Sequence, residues 1–147
     1  MDTKMDTNDK VLESLKILVV EDAEDIRVLF SRLLGRYGAS VSTARDGEEA
    51  VLKMEKNAYD ITLMDLEMPN VDGMEAVIQL RKDGYKGKIV ALSGHSWDNL
   101  ADALAAAGFD GYLVKPITLD ALVQKILFYC DRSVSSVPSA SVVAQSY

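Results

Sequence analysis

Lys16-Ile-Leu-Val-Val20 is an apolar run with no polar alternation, and Glu21-Asp22 follows it directly; beyond these, Ile26, Leu29, Phe30, Leu33, Leu34 and Tyr37 recur at helical spacing, with Gly35 and Gly38 marking the end. A strand with one wet face would alternate polar and apolar residues. A short unbroken apolar run instead predicts a strand buried on both faces, and the three-and-four spacing after it predicts a helix. The unit is therefore strand, acidic turn, helix. It repeats outward along the chain: Ala39 to Ala44 is a β-branched strand, and Glu48 to Glu55 is a helix capped by Asp46. Ile61 to Met64 is a strand ending on Asp65, and a Pro69 to Gly73 turn opens a helix carrying Met74, Val77, Ile78 and Leu80. Ile89 to Leu92 is a strand, and Leu100 to Ala107 is an Ala-rich helix for which Ser96 is the candidate cap. Gly111 to Val114 is a strand broken by Pro116, and Thr118 caps a helix with Leu119, Leu122, Val123, Ile126 and Leu127. Five βα units in strict alternation predict an α/β fold, a five-stranded parallel sheet with helices on both faces and right-handed crossovers.

The 147 residues suit one domain, and 48% apolar with 27% charged residues is a globular composition. The expected domain occupies residues 15–130. Residues 1–14, polar and mixed in charge, are expected to be a flexible N-terminal segment, and the Ser-rich stretch 131–147 a disordered tail, with a weak docking strand as the alternative. A formal charge of −7 with no basic stripe argues against nucleic acid as a partner. The longest apolar runs, such as Ala103 to Ala107, fall far short of the ~20 residues that cross a bilayer. The N-terminus also lacks an apolar signal core, so the expectation is a cytoplasmic chain without membrane insertion. A single cysteine, Cys130, and a single histidine, His95, leave neither an internal disulfide nor a Cys/His zinc cluster. Cys130 is expected to act as a small hydrophobe on a helix face.

In an open parallel sheet, ligands bind beyond the carboxyl ends of the strands, and four of the five loops there carry chemistry. Strand one ends in Glu21-Asp22, strand three in Asp65, strand four in Ser93 and strand five in Lys115-Pro116. Each alone has a plain reading: acids favoured at a helix N-terminus, a turn acid, a cap, a solvated lysine. If strands one and three are neighbours, however, three carboxylates share one cleft, with a hydroxyl and an ammonium on its far side. Carboxylates so close repel one another and call for a hard divalent cation. Oxygen ligands with room for water suit magnesium, with manganese as the alternative.

The set Glu21-Asp22, Asp65-Leu66-Glu67-Met68-Pro69-Asn70-Val71-Asp72-Gly73, Ala91-Leu92-Ser93-Gly94 and Tyr112-Leu113-Val114-Lys115-Pro116 resembles the receiver domain of two-component response regulators. The resemblance runs from Lys16 to Tyr129 and includes all the loops in order. It implies a doubly wound, flavodoxin-like (βα)5 fold with strand order 2-1-3-4-5. The stretch from Asp72-Gly73 through Leu80-Arg81 to Ile89-Val90-Ala91-Leu92 looks most like receivers attached to hybrid histidine kinases.

By this resemblance, Asp65 would take a phosphoryl group from a phosphohistidine as a carboxylate nucleophile. Glu21, Asp22, Asp65 and the backbone carbonyl of Glu67 would hold Mg2+, and Lys115 would bind the phosphoryl oxygens as a point charge. Ser93 would donate its hydroxyl to a phosphoryl oxygen while Tyr112 changes rotamer, switching the face formed by the fourth and fifth helices and the fifth strand. Glu67 and His95, two residues beyond the acceptor and the switch hydroxyl, hold positions that tune phosphoryl lifetime in the family. The Lys115-Pro116 bond would be cis. The implied partners are a sensor histidine kinase or a histidine phosphotransfer protein, and a downstream target protein. The chain departs from the commonest pattern at Glu21, where many members have Asp, and at Ser93, where Thr is commoner.

Two other readings fit less well. An aspartyl-nucleophile phosphatase of the haloacid dehalogenase type wants Asp-x-Asp after its first strand, and strand one here ends in Glu21-Asp22-Ala23-Glu24. A nucleotide or flavin module wants a Gly-rich phosphate cradle, and the acids of that same loop would repel phosphate. The stretch after Asp131 is too short and Ser-rich for a helix-turn-helix output, so signalling is expected to run through protein contact.

Overall fold

A computed structural model describes residues 10–67, 73–132 and 144–146 of the chain. The elements alternate as read. They are β1 (Lys16–Val20), α1 (Glu24–Arg36), β2 (Ser40–Ala44), α2 (Gly47–Lys56), β3 (Ile61–Asp65), α3 (Gly73–Lys82), β4 (Lys88–Ser93), α4 (Leu100–Ala107), β5 (Gly111–Val114) and α5 (Leu119–Tyr129). A further short strand, β6, spans Ala144–Ser146. The sheet runs β2-β1-β3-β4-β5-β6. Its first five strands pair in parallel in the expected order 2-1-3-4-5, with β1 between β2 and β3.

The unbroken apolar runs follow from a sheet covered on both faces. Within β1, Leu18 and Val20 point into a core shared with Ala50 and Met54 of α2, Val77 and Leu80 of α3 and Leu104 of α4. Ile17 and Val19 point the other way, into a core with Leu34 of α1 and Leu122 and Ile126 of α5. Consecutive residues feed opposite cores, so no position in the strand can be polar without cost. The caps at α2 and α5 are formed: Asp46 accepts from the Glu49 amide at 2.8 Å, and Thr118 from the Ala121 amide at 3.0 Å. Gly108 closes α4 with φ +113°, where a side chain would also meet the Arg81 stem at 2.6 Å. Cys130, just past α5, is half-buried against the second core, and burial pushes its thiol up to about 11.

Two expectations are revised, and for a third stretch the alternative holds. The ordered structure reaches back beyond residue 15: Leu12 is 0% exposed, its amide donates to the Tyr37 carbonyl at 2.8 Å, and Leu15 packs into the same core. Two leucines three apart in a turn suffice to anchor residues 10–15 under the α1–β2 connection; residues 1–9 lie outside the described residues. At α4, the residue preceding the helix is Asn99 in a left-handed conformation, φ 67°, with no side-chain cap, so Ser96 is not the cap. The first free amides are instead arranged by a turn, with the Leu100 amide donating to the Trp97 carbonyl at 3.0 Å. Within the stretch expected to be a disordered tail or a weak docking strand, Ala144–Ser146 takes the second form and pairs antiparallel with β5, adding an edge strand. The remainder of that stretch, 133–143 and 147, and the turn from Pro69 up to Gly73 fall outside the described residues. Among the described residues, no helix is long and apolar enough to cross a membrane.

Candidate functional site

Parallel pairing in register carries the ends of β1, β3, β4 and β5 to one rim of the sheet. Backbone bonds past the strand ends hold the loops in step: Glu21 N–H to Ala44 O at 3.0 Å, Leu66 N–H to Leu92 O at 2.9 Å, and Lys115 N–H to Ser93 O at 2.7 Å. Three carboxylates converge there. Glu21, Asp22 and Asp65 each place an oxygen within 4.8 Å of the others, and Glu21 and Asp65 are only 6% and 2% exposed while Asp22 is open to solvent. The Glu21 carboxylate also accepts from the Ala23 amide at 3.1 Å, which ties it to the start of α1. Burial, and next a hydrogen bond to Asp65, push the Glu21 carboxyl up from 4.5 to about 7. The larger cause is lost solvation of the charged form, which a cation in the cleft would offset. The donor set is all oxygen, part buried and part open to water, and it fits a hard divalent cation such as Mg2+.

Lys115 stands on the opposite side. Its ammonium donates to Asp65 Oδ1 at 3.0 Å and lies 3.5 Å from Glu67 Oε1. Burial alone would depress Lys115, but the hydrogen bond and charge of Asp65, with Glu21 and Glu67 behind it, outweigh burial and hold its pKa above the ordinary value. The Glu67 amide donates to the same Asp65 oxygen at 2.9 Å, so the Asp65 carboxylate is held by two donors. The Lys115-Pro116 bond is cis.

Glu67 is more engaged than the sequence indicated. Its Oε2 accepts from the Gly94 amide at 2.8 Å and meets His95 Nδ1 at 3.2 Å, clasping the β3 loop to the β4 loop across the mouth of the site. His95 reaches this pair from solvent, its side chain 83% exposed. The position of Glu67 two residues past Asp65 was visible; its partner across the cleft depends on loop course, which residue spacing does not encode. Sequence reading also passed over Arg27, whose guanidinium donates to the carbonyls of Glu21 at 2.8 Å and Asp22 at 3.1 Å and so fixes the acidic turn. Its place one turn into the helix after an acidic pair was the available signal.

Ser93 is 2% exposed at the end of β4, and its hydroxyl donates to the His95 carbonyl at 2.6 Å and accepts from the His95 amide at 3.2 Å. The hydroxyl is thus occupied within its own loop. Tyr112 lies buried on β5, one strand over, with Ala91 of β4 as its register partner.

The family model described as response regulator receiver domain matches residues 17–127. The chain belongs to that family. Among curated proteins, this receiver is 38% identical over 114 residues to the CAI-1 autoinducer sensor kinase/phosphatase CqsS of Vibrio cholerae, a match over 76% of this chain and 17% of that protein. It is 35% identical over 135 residues to the sensor histidine kinase RcsC of Salmonella typhi, covering 90% of this chain and 14% of that one. The receiver therefore spans a small part of the length of these kinases. Among solved structures, the response regulator TrrA of Thermotoga maritima, in complex with Mg(2+)-BeF, is 35% identical with a TM-score of 0.70, over 78% of this chain and 98% of that one. The receiver fold and its place in two-component signalling are thus common to sequence and structure.

Proposed function

We propose that this receiver takes a phosphoryl group on Asp65 from the phosphohistidine of a sensor histidine kinase or a histidine phosphotransfer protein, in the cytoplasm, and passes the signal to a target protein through its α4-β5-α5 face. One observation carries the reading: a nearly buried aspartate at the end of the central strand β3, held by a lysine at 3.0 Å on one side and flanked by two further acids on the other. An Asp65 oxygen attacks phosphorus; the new P–O bond forms as the P–N bond to the donor imidazole breaks, and the imidazole departs with the electron pair. Glu21, Asp22, Asp65 and the Glu67 carbonyl would hold Mg2+, which supplies charge neutralisation for the phosphoryl oxygens. Lys115, already turned onto Asp65, follows those oxygens, and the Glu67 amide keeps the acceptor carboxylate oriented. The domain thereby catalyses its own phosphorylation, and it loses the group slowly to water. Ser93 turns from His95 to a phosphoryl oxygen, Tyr112 shifts with it, and the Glu67–His95 clasp limits access of water. The Mg(2+)-BeF complex of TrrA, a relative of this size and fold, supports the metal and anion arrangement.

Phosphoramidate, whose P–N bond imitates the phosphohistidine, tests the reaction directly. With Mg2+ the chain is expected to gain one phosphoryl group that hydroxylamine removes, as an acyl phosphate requires. Label that resists hydroxylamine, or that forms equally well with the metal chelated, would place the group on another side chain and end this reading.

A further inference from the structure

The five parallel strands of the sheet leave β5 as an edge, and an edge strand presents unpaired N–H and C=O groups that invite another strand. Here the edge is filled from within the chain. β6 lies antiparallel on β5, with Gly111 opposite Ser146, Tyr112 opposite Gln145 and Leu113 opposite Ala144. The route is short. The Tyr129 hydroxyl at the end of α5 donates to the Asp110 carbonyl at 2.6 Å, so α5 returns the chain to the N-terminal end of β5. Residues 133–143 then separate Arg132 from Ala144. At up to ~3.3–3.6 Å per residue that length exceeds the span of β5 several times over, and an antiparallel return is open to it.

Neither the receiver fold nor its phosphoacceptor site requires this strand. We propose that the β5 edge is a strand-docking site whose resident occupant is the chain's own segment 144–146, and that a partner's extended peptide reaches this edge only by displacing it. Main-chain pairing of this kind gives affinity with little demand on side chains. A tether of this length sets an effective concentration of order mM, so an external strand competes against a standing occupant. Because the register places the occupant opposite Tyr112, the edge is also where the switch of the proposed function would be felt; that last link rests on the reading of Tyr112 given above.

Hydrogen exchange on the full chain tests this. The double substitution Ala144→Pro/Gln145→Pro removes an inward N–H whichever way the pleat falls, and an edge strand tolerates proline only where the missing N–H would face solvent. Amides of 111–114 are expected to exchange about tenfold faster or more in the variant, with β1 and β3 unchanged as the control for folding. A synthetic peptide of residues 133–147 added to the variant should restore the protection. Equal exchange at 111–114 in variant and wild type would overturn the proposal, as would wild-type protection that appears only with a concentration-dependent dimer, since the occupant would then be a second copy. Adding Mg2+ and beryllofluoride to the wild type separates the two readings. A change in 111–114 exchange supports the link to Tyr112, and no change alongside a positive proline result leaves strand docking standing while removing Tyr112 as the switch.

Discussion

Glu21 is where the charge balance of the site is most exposed to experiment. Between 4.5 and about 7 the folded chain keeps a proton on Glu21 that the unfolded chain has released, because of burial and the hydrogen bond to Asp65. The folded state binds more protons in that window, so without metal this group's contribution makes stability fall as pH rises from about 4.5 to about 7. Mg2+ needs the carboxylate and displaces the proton, so its affinity should rise about tenfold per pH unit through the same window and level off above it. Calorimetric titration of Mg2+ across pH 5 to 8 checks the slope, and Glu21→Gln should bind more weakly with that dependence gone; an unchanged slope in the variant would assign the proton elsewhere. Ser93 carries a second prediction. A hydrogen bond to a charged phosphoryl oxygen is worth about 1.5–3 kcal/mol, but Ser93 must give up its bond to the His95 carbonyl, worth about 0.5–1.5. The difference, about 1–1.5 kcal/mol, is a roughly five- to twelvefold redistribution. Ser93→Ala should still accept phosphate at Asp65 while the NMR shifts that beryllofluoride induces at Tyr112 and in α4 shrink; equal shifts would rule out the hydroxyl as the coupling element.

Among the elements, the strands were legible because both faces of the sheet are covered, leaving Ile17 to Val20 no wet position. The caps of α2 and α5 were legible because Asp46 and Thr118 each sit one residue before a helix that then bonds back to them. At α4 the same reasoning chose Ser96, yet the residue before the helix is Asn99, three positions later, with a left-handed backbone and no side-chain cap. These two cases predict different stabilities. Thr118→Ala should cost about 1 kcal/mol and lower Tm by a few degrees. Ser96→Ala, at an exposed position with no capping role, should leave Tm within error. Thermal melts of both variants decide it, and a comparable loss in Ser96→Ala would contradict the assigned start of α4.

At the scale of the whole molecule, the site was legible because parallel order forces the loop acids, the hydroxyl and the lysine to one rim whatever the details of packing. What spacing could not supply were the contacts made by the course of the chain. The Glu67 clasp on Gly94 and His95, the anchoring of Leu12 and Leu15, and the pairing of Ala144–Ser146 each join segments far apart in sequence with no pattern of their own. The proposed phosphoryl acceptor is one carboxylate, Asp65, held by Lys115 beside the acidic cluster of Glu21 and Asp22. Intact mass spectrometry after incubation with acetyl phosphate tests it most directly. Wild type with Mg2+ should gain the mass of a single phosphoryl group, and neither Asp65→Asn with Mg2+ nor wild type with chelator should gain any; labelling of Asp65→Asn to the wild-type extent would contradict the account.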